Sequence, residues 1–258
     1  MLDVHATASA VAAIFMLAAA GWVVSVPRRD VSVIDPLWSL FFLLAVLIYR
    51  GPLPGTPRGD LLLGLVALWA LRLAGYLLWR NWGEPEDRRY RKIRARNEPG
   101  FWWRSLYLVF GLQAALASVL SLPLLWAAAS DRKLGALDAL GTLLWLAGFL
   151  FETVADLQLA RFRRAGAATA VLETGLWRYT RHPNYFGEAL LWWGYFLLAA
   201  AAGGWWTVFA PVLMTFLLLR VSGVSLLEAD IRERRPDYRR YVARTSAFLP
   251  WPPRRTPA

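Results

Sequence analysis

The sequence predicts an all-α, polytopic membrane protein of seven transmembrane helices. Three observations predict it. Long apolar runs recur along the 258 residues, several near the ~20 residues that cross a bilayer. The composition is 57% hydrophobic, with a mean hydropathy of +0.38, yet the chain carries a net charge of +11. That charge is gathered into alternate connections between the apolar runs. A soluble domain of this length buries one core and has no use for so many long apolar segments.

The first run, Thr7–Val26, has no basic leader and no small-residue cleavage pattern, so it reads as a retained helix and not a signal peptide. Asp35–Tyr49 is short, and Pro36 in its first turn makes Asp35 a candidate N-cap. Asp60–Trp79, Ser105–Ala129 and Ala136–Leu159 follow. Phe186–Ala202 and Trp205–Leu227 are parted only by Gly203-Gly204, a tight turn between antiparallel helices. With seven spans, 23 of the 29 Lys and Arg fall after spans one, three, five and seven. Eight of them lie between Arg80 and Arg104 and another eight between Arg232 and Arg255. Positive loops stay cytoplasmic, which puts the N-terminus outside and the C-terminus inside.

The chain thus reads as one seven-helix domain, 1–258, with a cytoplasmic loop at 80–104 and a basic cytoplasmic segment at 228–258. The high charge is a topology signal and calls for no nucleic acid, for which no motif is present. Zero cysteines exclude disulfides and thiolate metal sites, and two histidines leave no histidine-rich metal centre. Fifteen tryptophans, paired at Trp102-Trp103, Trp192-Trp193 and Trp205-Trp206, suit interfacial belts.

Ionisable groups within membrane helices are costly, so each is a functional candidate. Arg72, Tyr76 and Arg80 are spaced i, i+4, i+8 and share one helix face. Arg72 either ties two helices together or meets a ligand. Arg220 is the other arginine within a span. Glu152 and Asp156 stand at i, i+4, with Arg163 two turns further along the same face. Such a set is either glue between helices or a site where carboxylates take ribose hydroxyls and arginines take phosphates. The segment Asn81–Lys92 mixes both charge signs with aromatics, and Asn81, Glu86, Asp87, Arg88 and Tyr90 suit a cap over a polar ligand. The densest segment is Glu173–Glu188. There Pro183 holds His182 extended and opens a helix. Tyr179, His182, Asn184, Tyr185 and Glu188 are thereby delivered to a helix N-terminus, where free N–H groups favour anionic or amide-bearing ligands.

Gly175-Leu-Trp-Arg-Tyr179 followed by Arg181-His-Pro-Asn-Tyr-Phe-Gly-Glu188 resembles the C-terminal signature of membrane steroid 5α-reductases and their bacterial relatives. The resemblance covers most of the chain. It includes Asp35-Pro-Leu-Trp-Ser39, Arg80-Asn-Trp-Gly-Glu-Pro-Glu-Asp-Arg-Arg-Tyr90, Phe151-Glu-Thr-Val-Ala-Asp-Leu-Gln158 and Arg244-Thr-Ser-Ala-Phe-Leu-Pro250. The Arg-His-Pro-Asn-Tyr block also resembles isoprenylcysteine and phospholipid methyltransferases, which use S-adenosylmethionine, and sterol reductases. The Glu-Asp-Arg-Arg-Tyr loop and the Glu-x-x-x-Asp pair favour the 5α-reductase side.

The resemblance implies NADPH held within a seven-helix bundle and hydride transfer to the β-carbon of a conjugated enone, such as a 3-oxo-Δ4 steroid. It implies a monomer in the bacterial inner membrane whose lipophilic substrate enters from the bilayer lipids. It assigns cofactor contacts to Arg72, Asp156, Arg163, Asn184 and Glu188, and to the residues around them named above. Negative charge builds on the enone oxygen during reduction, and a donor aimed there stabilises it. The family's acidic residue falls on Asp35, one methylene shorter, and its helix-3 tyrosine falls on Trp69. Trp38 and Trp69 become the expected substrate walls, and Tyr76 the substitute donor. An aspartate that donates must be neutral, which an apolar pocket favours. No glycine-rich turn follows a strand, so a Rossmann domain has no support. A channel or transporter is disfavoured because the spans show no inverted repeat.

Overall fold

A computed structural model describes residues 4–51, 55–165, 170–221 and 238–254. Among these, every regular element is helical, and the sole strand-like pairing is a bridge between Thr180 and Ser246. The helices are α1 (Val4–Arg28), α2 (Ile34–Arg50), α3 (Pro57–Asn81), α4 (Arg88–Asn97), α5 (Phe101–Ala128), α6 (Ala136–Arg164), α7 (Pro183–Ala201), α8 (Phe209–Phe216) and α9 (Tyr238–Arg244). Five of them are long and apolar enough to cross a membrane: α1, α2 with its leading turn from Val31, α3, α5 and α6. Their outward faces are apolar, with Met16, Leu71 and Leu143 at 60% exposure or more. That is a lipid contact surface, and the chain is an integral membrane protein. α7 is 19 residues long and carries Asn184 and Glu188 in its first turns. The expected last span runs on to 227, and residues 222–227 lie outside the described ones, as do 228–237 and 255–258 of the basic tail.

Local chemistry sets the helix ends. The Thr56 hydroxyl accepts from the Gly59 amide and Pro57 occupies the first turn of α3, a strong start signal. Gly51 ends α2 at φ 56°, a conformation that favours glycine. Gly203, at φ 90°, makes the tight turn expected after α7. α5 contains a π segment at Leu106–Gly111 and a break at Ser121, where Pro123 opens the next stretch. The Ser121 hydroxyl donates to the Ser118 carbonyl at 2.8 Å and meets the Tyr49 hydroxyl at 2.6 Å, as expected where water is absent.

Two expectations are corrected here. Asp35 is not an N-cap: Val33 holds that position and makes no side-chain cap, while Asp35 lies inside the first turn of α2. The 80–104 segment is not a loop throughout, because Asp87 caps a ten-residue helix, α4, by accepting from the Arg89 amide at 2.9 Å.

The chain forms two compact units. The first comprises Met1–Asp138 with Leu198–Thr207, and the second Ala139–Leu197 with Val208–Ala258. In the first, α2 packs between α1 and α3, and the Ser39 hydroxyl donates to the Ala70 carbonyl at 2.9 Å. In the second, α6 and α7 meet backbone to backbone across Gly148, Gly187 and Gly194. A methyl added at Gly187 would lie 2.5 Å from the Glu152 nitrogen and 2.7 Å from the Gly148 carbonyl oxygen. Gly187→Ala is therefore expected to destabilise by about 1–3 kcal/mol, the usual cost of overpacking. Gly75→Ala, where nothing lies within 4 Å, should be neutral. Thermal unfolding in detergent compares them, and equal behaviour would remove the close-packing argument.

Candidate functional site

Each unit carries its own polar cluster. In the first it is built where α4 lies over the starts of α2 and α5. Tyr90 donates to one Asp35 oxygen at 2.6 Å, and Arg89 donates to the other at 2.9 Å. Arg80 approaches that second oxygen at 3.9 Å. Gln113, on α5, donates to the Tyr90 hydroxyl at 3.3 Å. Asp35 is thus an acceptor ringed by donors, and not the hydrogen-bond donor expected from the sequence. Burial of Tyr90, and next the negative charge of Asp35, raise the phenol's pKa well above its ordinary value. It remains a protonated donor across the physiological range.

The structure gives the other expected residues of this unit various parts. Tyr76 is not among the partners of Asp35; its ring lies against Trp79 at 6.0 Å. Arg72 is half-buried on α3. Trp69 is fully buried, and its ring lies 5.9 Å from Phe42, which in turn meets Trp38 edge-on at 5.2 Å. Asn81 accepts from Arg80 at 3.0 Å. Arg88 is exposed in the first turn of α4. Glu86 accepts from the Val31 amide at 3.0 Å and pairs with Arg94 at 2.7 Å. Asp87 is the α4 cap. Burial alone would raise its pKa, but the adjoining Arg89 guanidinium outweighs that and lowers it.

In the second unit, the Asn184 carboxamide donates to Asp156 at 3.3 Å. Glu152 packs against Gly187 across the helix pair. Glu152, Asp156, His182 and Glu188 are all buried. Asn184 and Glu188 are one turn apart on α7, as Glu152 and Asp156 are on α6, so two helix faces present four polar groups. The His182 ring stacks parallel on Tyr185 at 5.6 Å. Tyr179, Arg163 and Arg220 are exposed.

What holds the His182-Pro183 turn in place was not visible in the sequence. Arg181 donates from Nη1 to the Thr245 and Val242 carbonyls at 2.7 and 3.0 Å. Its amide meets Ser246 at 2.9 Å, and the Trp251 amide meets Tyr179 at 2.9 Å. Trp177 and the Leu176 amide are anchored on Ala155 and Gln158 of α6 at 3.2 and 3.0 Å. The C-terminal segment is therefore a strap across the signature. Arg89, Arg181 and Gln113 were missed as working residues. Gln113 carried the plainest signal, an amide side chain within an apolar span.

Groups of this kind can hold a dinucleotide. Buried carboxylates accept from ribose hydroxyls, and a carboxamide both donates to and accepts from a nicotinamide amide. The exposed Arg161, Arg163, Arg164 and Arg178 suit phosphates. No group of three or more potential metal ligands occurs among the described residues.

Long apolar helices with buried carboxylates among them define the class, a polytopic helical membrane protein with polar sites. The chain belongs to the family described as "Protein of unknown function (DUF1295)", whose pattern matches residues 21–245. It is similar to an uncharacterized protein of Schizosaccharomyces pombe, 29% identical over 211 residues, an alignment covering 69% of this chain. The chain spans 60% of that relative's length. No solved structure matches the chain.

Proposed function

We propose that the protein is an NADPH-dependent reductase of the conjugated C=C bond in a lipophilic enone, of the 3-oxo-Δ4 steroid type, as in membrane steroid 5α-reductases. The observation that carries this reading is the Asp156–Asn184 pair, with Glu152 and Glu188 buried beside it. Such groups are costly in a membrane helix, and by default they mark a ligand site. NADPH, when bound, supplies the hydride. Asp156 and Glu188 would accept from its hydroxyls, Asn184 would orient its amide, and the exposed arginines at the end of α6 would take its phosphates. In the first unit, Tyr90 would turn its single O–H from Asp35 to the enone oxygen, while Gln113 still donates to the phenol oxygen and Arg89 holds the released Asp35. The α-carbon of the resulting enolate then takes a proton from water, so hydride and proton together saturate the C=C bond.

Asn184→Ala and Glu188→Ala are expected to fold but to bind NADPH more weakly, by about 1–3 kcal/mol each for a buried hydrogen-bonding group lost. Thermal stabilisation by added NADPH measures this. Unchanged affinity in both would remove the signature from the cofactor site. Stabilisation of the parent by S-adenosylmethionine and not by NADPH would replace the reductase with a lipid methyltransferase.

The reading includes seven spans, with α7 and α8 crossing as the last two, in a bacterial inner membrane. The excess of basic residues supports a cytoplasmic α4. Reporter tags at Arg96 and within 52–55 should therefore report opposite sides of the membrane, α4 inside. The same side for both would break the span count.

A further inference from the structure

A groove of about 810 Å³ opens in the first unit, between the C-terminal end of α1, α4 and the start of α5. Ser25, Arg29, Glu86, Arg91, Arg94 and Trp102 are among its walls. It shares Val31, Glu86 and Arg94 with the residues discussed above, but not Asp35, Arg89 or Tyr90. We infer that this groove binds the phosphate-bearing headgroup of an anionic phospholipid.

The charges decide the sign of the ligand. Arg94 is committed as structure: it holds both oxygens of Glu86, donates to the Arg29 carbonyl at 3.0 Å, and lies 4.6 Å over the Phe101 ring. Its hydrogen bonds to Glu86 raise its own pKa further, so the pair is a neutral wall. Glu98 lies 3.8 Å from the same guanidinium. Both carboxylates of the groove are thus taken by one arginine. Arg29 and Arg91 are exposed, and among the described residues no carboxylate pairs with either. Two guanidinium groups facing one groove, whose own carboxylates are both held by Arg94, match a phosphodiester, which arginine binds in a forked geometry. Arg29 also sits at φ 50°, a left-handed conformation in which side chains other than glycine and asparagine are unfavourable.

The surroundings select a lipid over a soluble anion. Trp102 lines the groove, and its carbonyl accepts from the Trp22 indole at 2.9 Å; tryptophans commonly sit at the headgroup level. Beyond them the surfaces of α1 and α5 are apolar and open, as at Val23 and Leu106, giving acyl chains a place to lie. The groove is far larger than a phosphate ion. The exposed face of α4 adds Arg88, Lys92 and Arg96, a basic cluster next to a membrane helix of the kind that recognises anionic lipid.

The test is native mass spectrometry of the full chain in detergent, titrated with phosphatidylglycerol or phosphatidylcholine. Retention of phosphatidylglycerol over phosphatidylcholine is expected. Arg29→Gln/Arg91→Gln should weaken phosphatidylglycerol binding about 30-fold, following the usual contribution of each basic residue. Lys92→Gln/Arg96→Gln removes the same charge outside the groove and should have a much smaller effect. Equal losses in the two double variants would mean diffuse surface attraction and overturn the site. Equal retention of both lipids would overturn it too, as would displacement by millimolar inorganic phosphate, which would make the ligand a soluble anion. If the double variant unfolds, Arg91→Gln alone carries the test, since Arg91 is exposed. It should lose about fivefold, and full retention would overturn the inference. The assay has no sidedness and uses no enone or dinucleotide, so it is independent of the proposed orientation and activity.

Discussion

Tyr90→Phe is expected to lower turnover of a 3-oxo-Δ4 steroid by on the order of 10²-fold or more, the scale for losing a positioned donor to a developing oxyanion. NADPH affinity should be unchanged. The phenylalanine ring fills the same buried space, so stability should fall only by the lost hydrogen bonds to Asp35 and Gln113, about 1 kcal/mol each. Asp35→Asn acts on the same bond from its other end. The amide can still accept from Tyr90, but it loses the charge that holds Arg89 at 2.9 Å. Its effect on turnover should therefore be smaller than that of Tyr90→Phe if Tyr90 is the donor. It should be the larger if Asp35 is the acid. Asp35→Glu keeps the charge and should retain the most activity of the three. NADPH absorbance followed through a single turnover in detergent ranks them. Full activity in Tyr90→Phe would take the tyrosine out of the chemistry.

Arg58→Met is expected to be the most destabilising of the substitutions considered, by about 3–5 kcal/mol, because it strands a buried charge. Arg58 is 1% exposed. It holds both oxygens of Asp138, at 2.7 and 2.9 Å, and reaches Ser130 and the Arg132 and Lys133 carbonyls at 2.9–3.1 Å. One guanidinium thereby ties the start of α3 to the whole α5–α6 connection. Asp138 also caps its own turn by accepting from the Gly135 amide at 2.9 Å. Asp138→Asn retains that cap and should cost less than Arg58→Met. Replacing both residues, as Arg58→Met/Asp138→Leu, should recover part of the loss, because no charge is then left buried, although the carbonyls stay orphaned. Thermal unfolding in detergent reads the three. An Arg58→Met variant as stable as the parent would show that the pair is solvated.

The amino-acid sequence determined the helical class and most of the spans. Length and hydropathy are sums over consecutive residues, and a bilayer reads them without regard to what packs where. It also determined the spacing of Glu152 with Asp156 and of Asn184 with Glu188, since one turn of helix puts i and i+4 on one face. The start of α7 at Pro183 follows in the same way from its ring, which suits the first turn of a helix. Tertiary structure decided the partners. Asp35 looked like a cap because the dipeptide Asp-Pro is local, whereas Arg89 and Tyr90 are more than fifty residues away along the chain. The start of α4 was missed although Asp87 and a ten-residue stretch free of Gly and Pro announce it, because its charge reads as loop until the groups it covers are known. Arg58 looked like an ordinary loop cation, and Arg181 like part of a ligand-binding run. Only the fold surrounds them with carbonyls and a carboxylate, and no periodic pattern in a sequence encodes which distant oxygen a guanidinium will find.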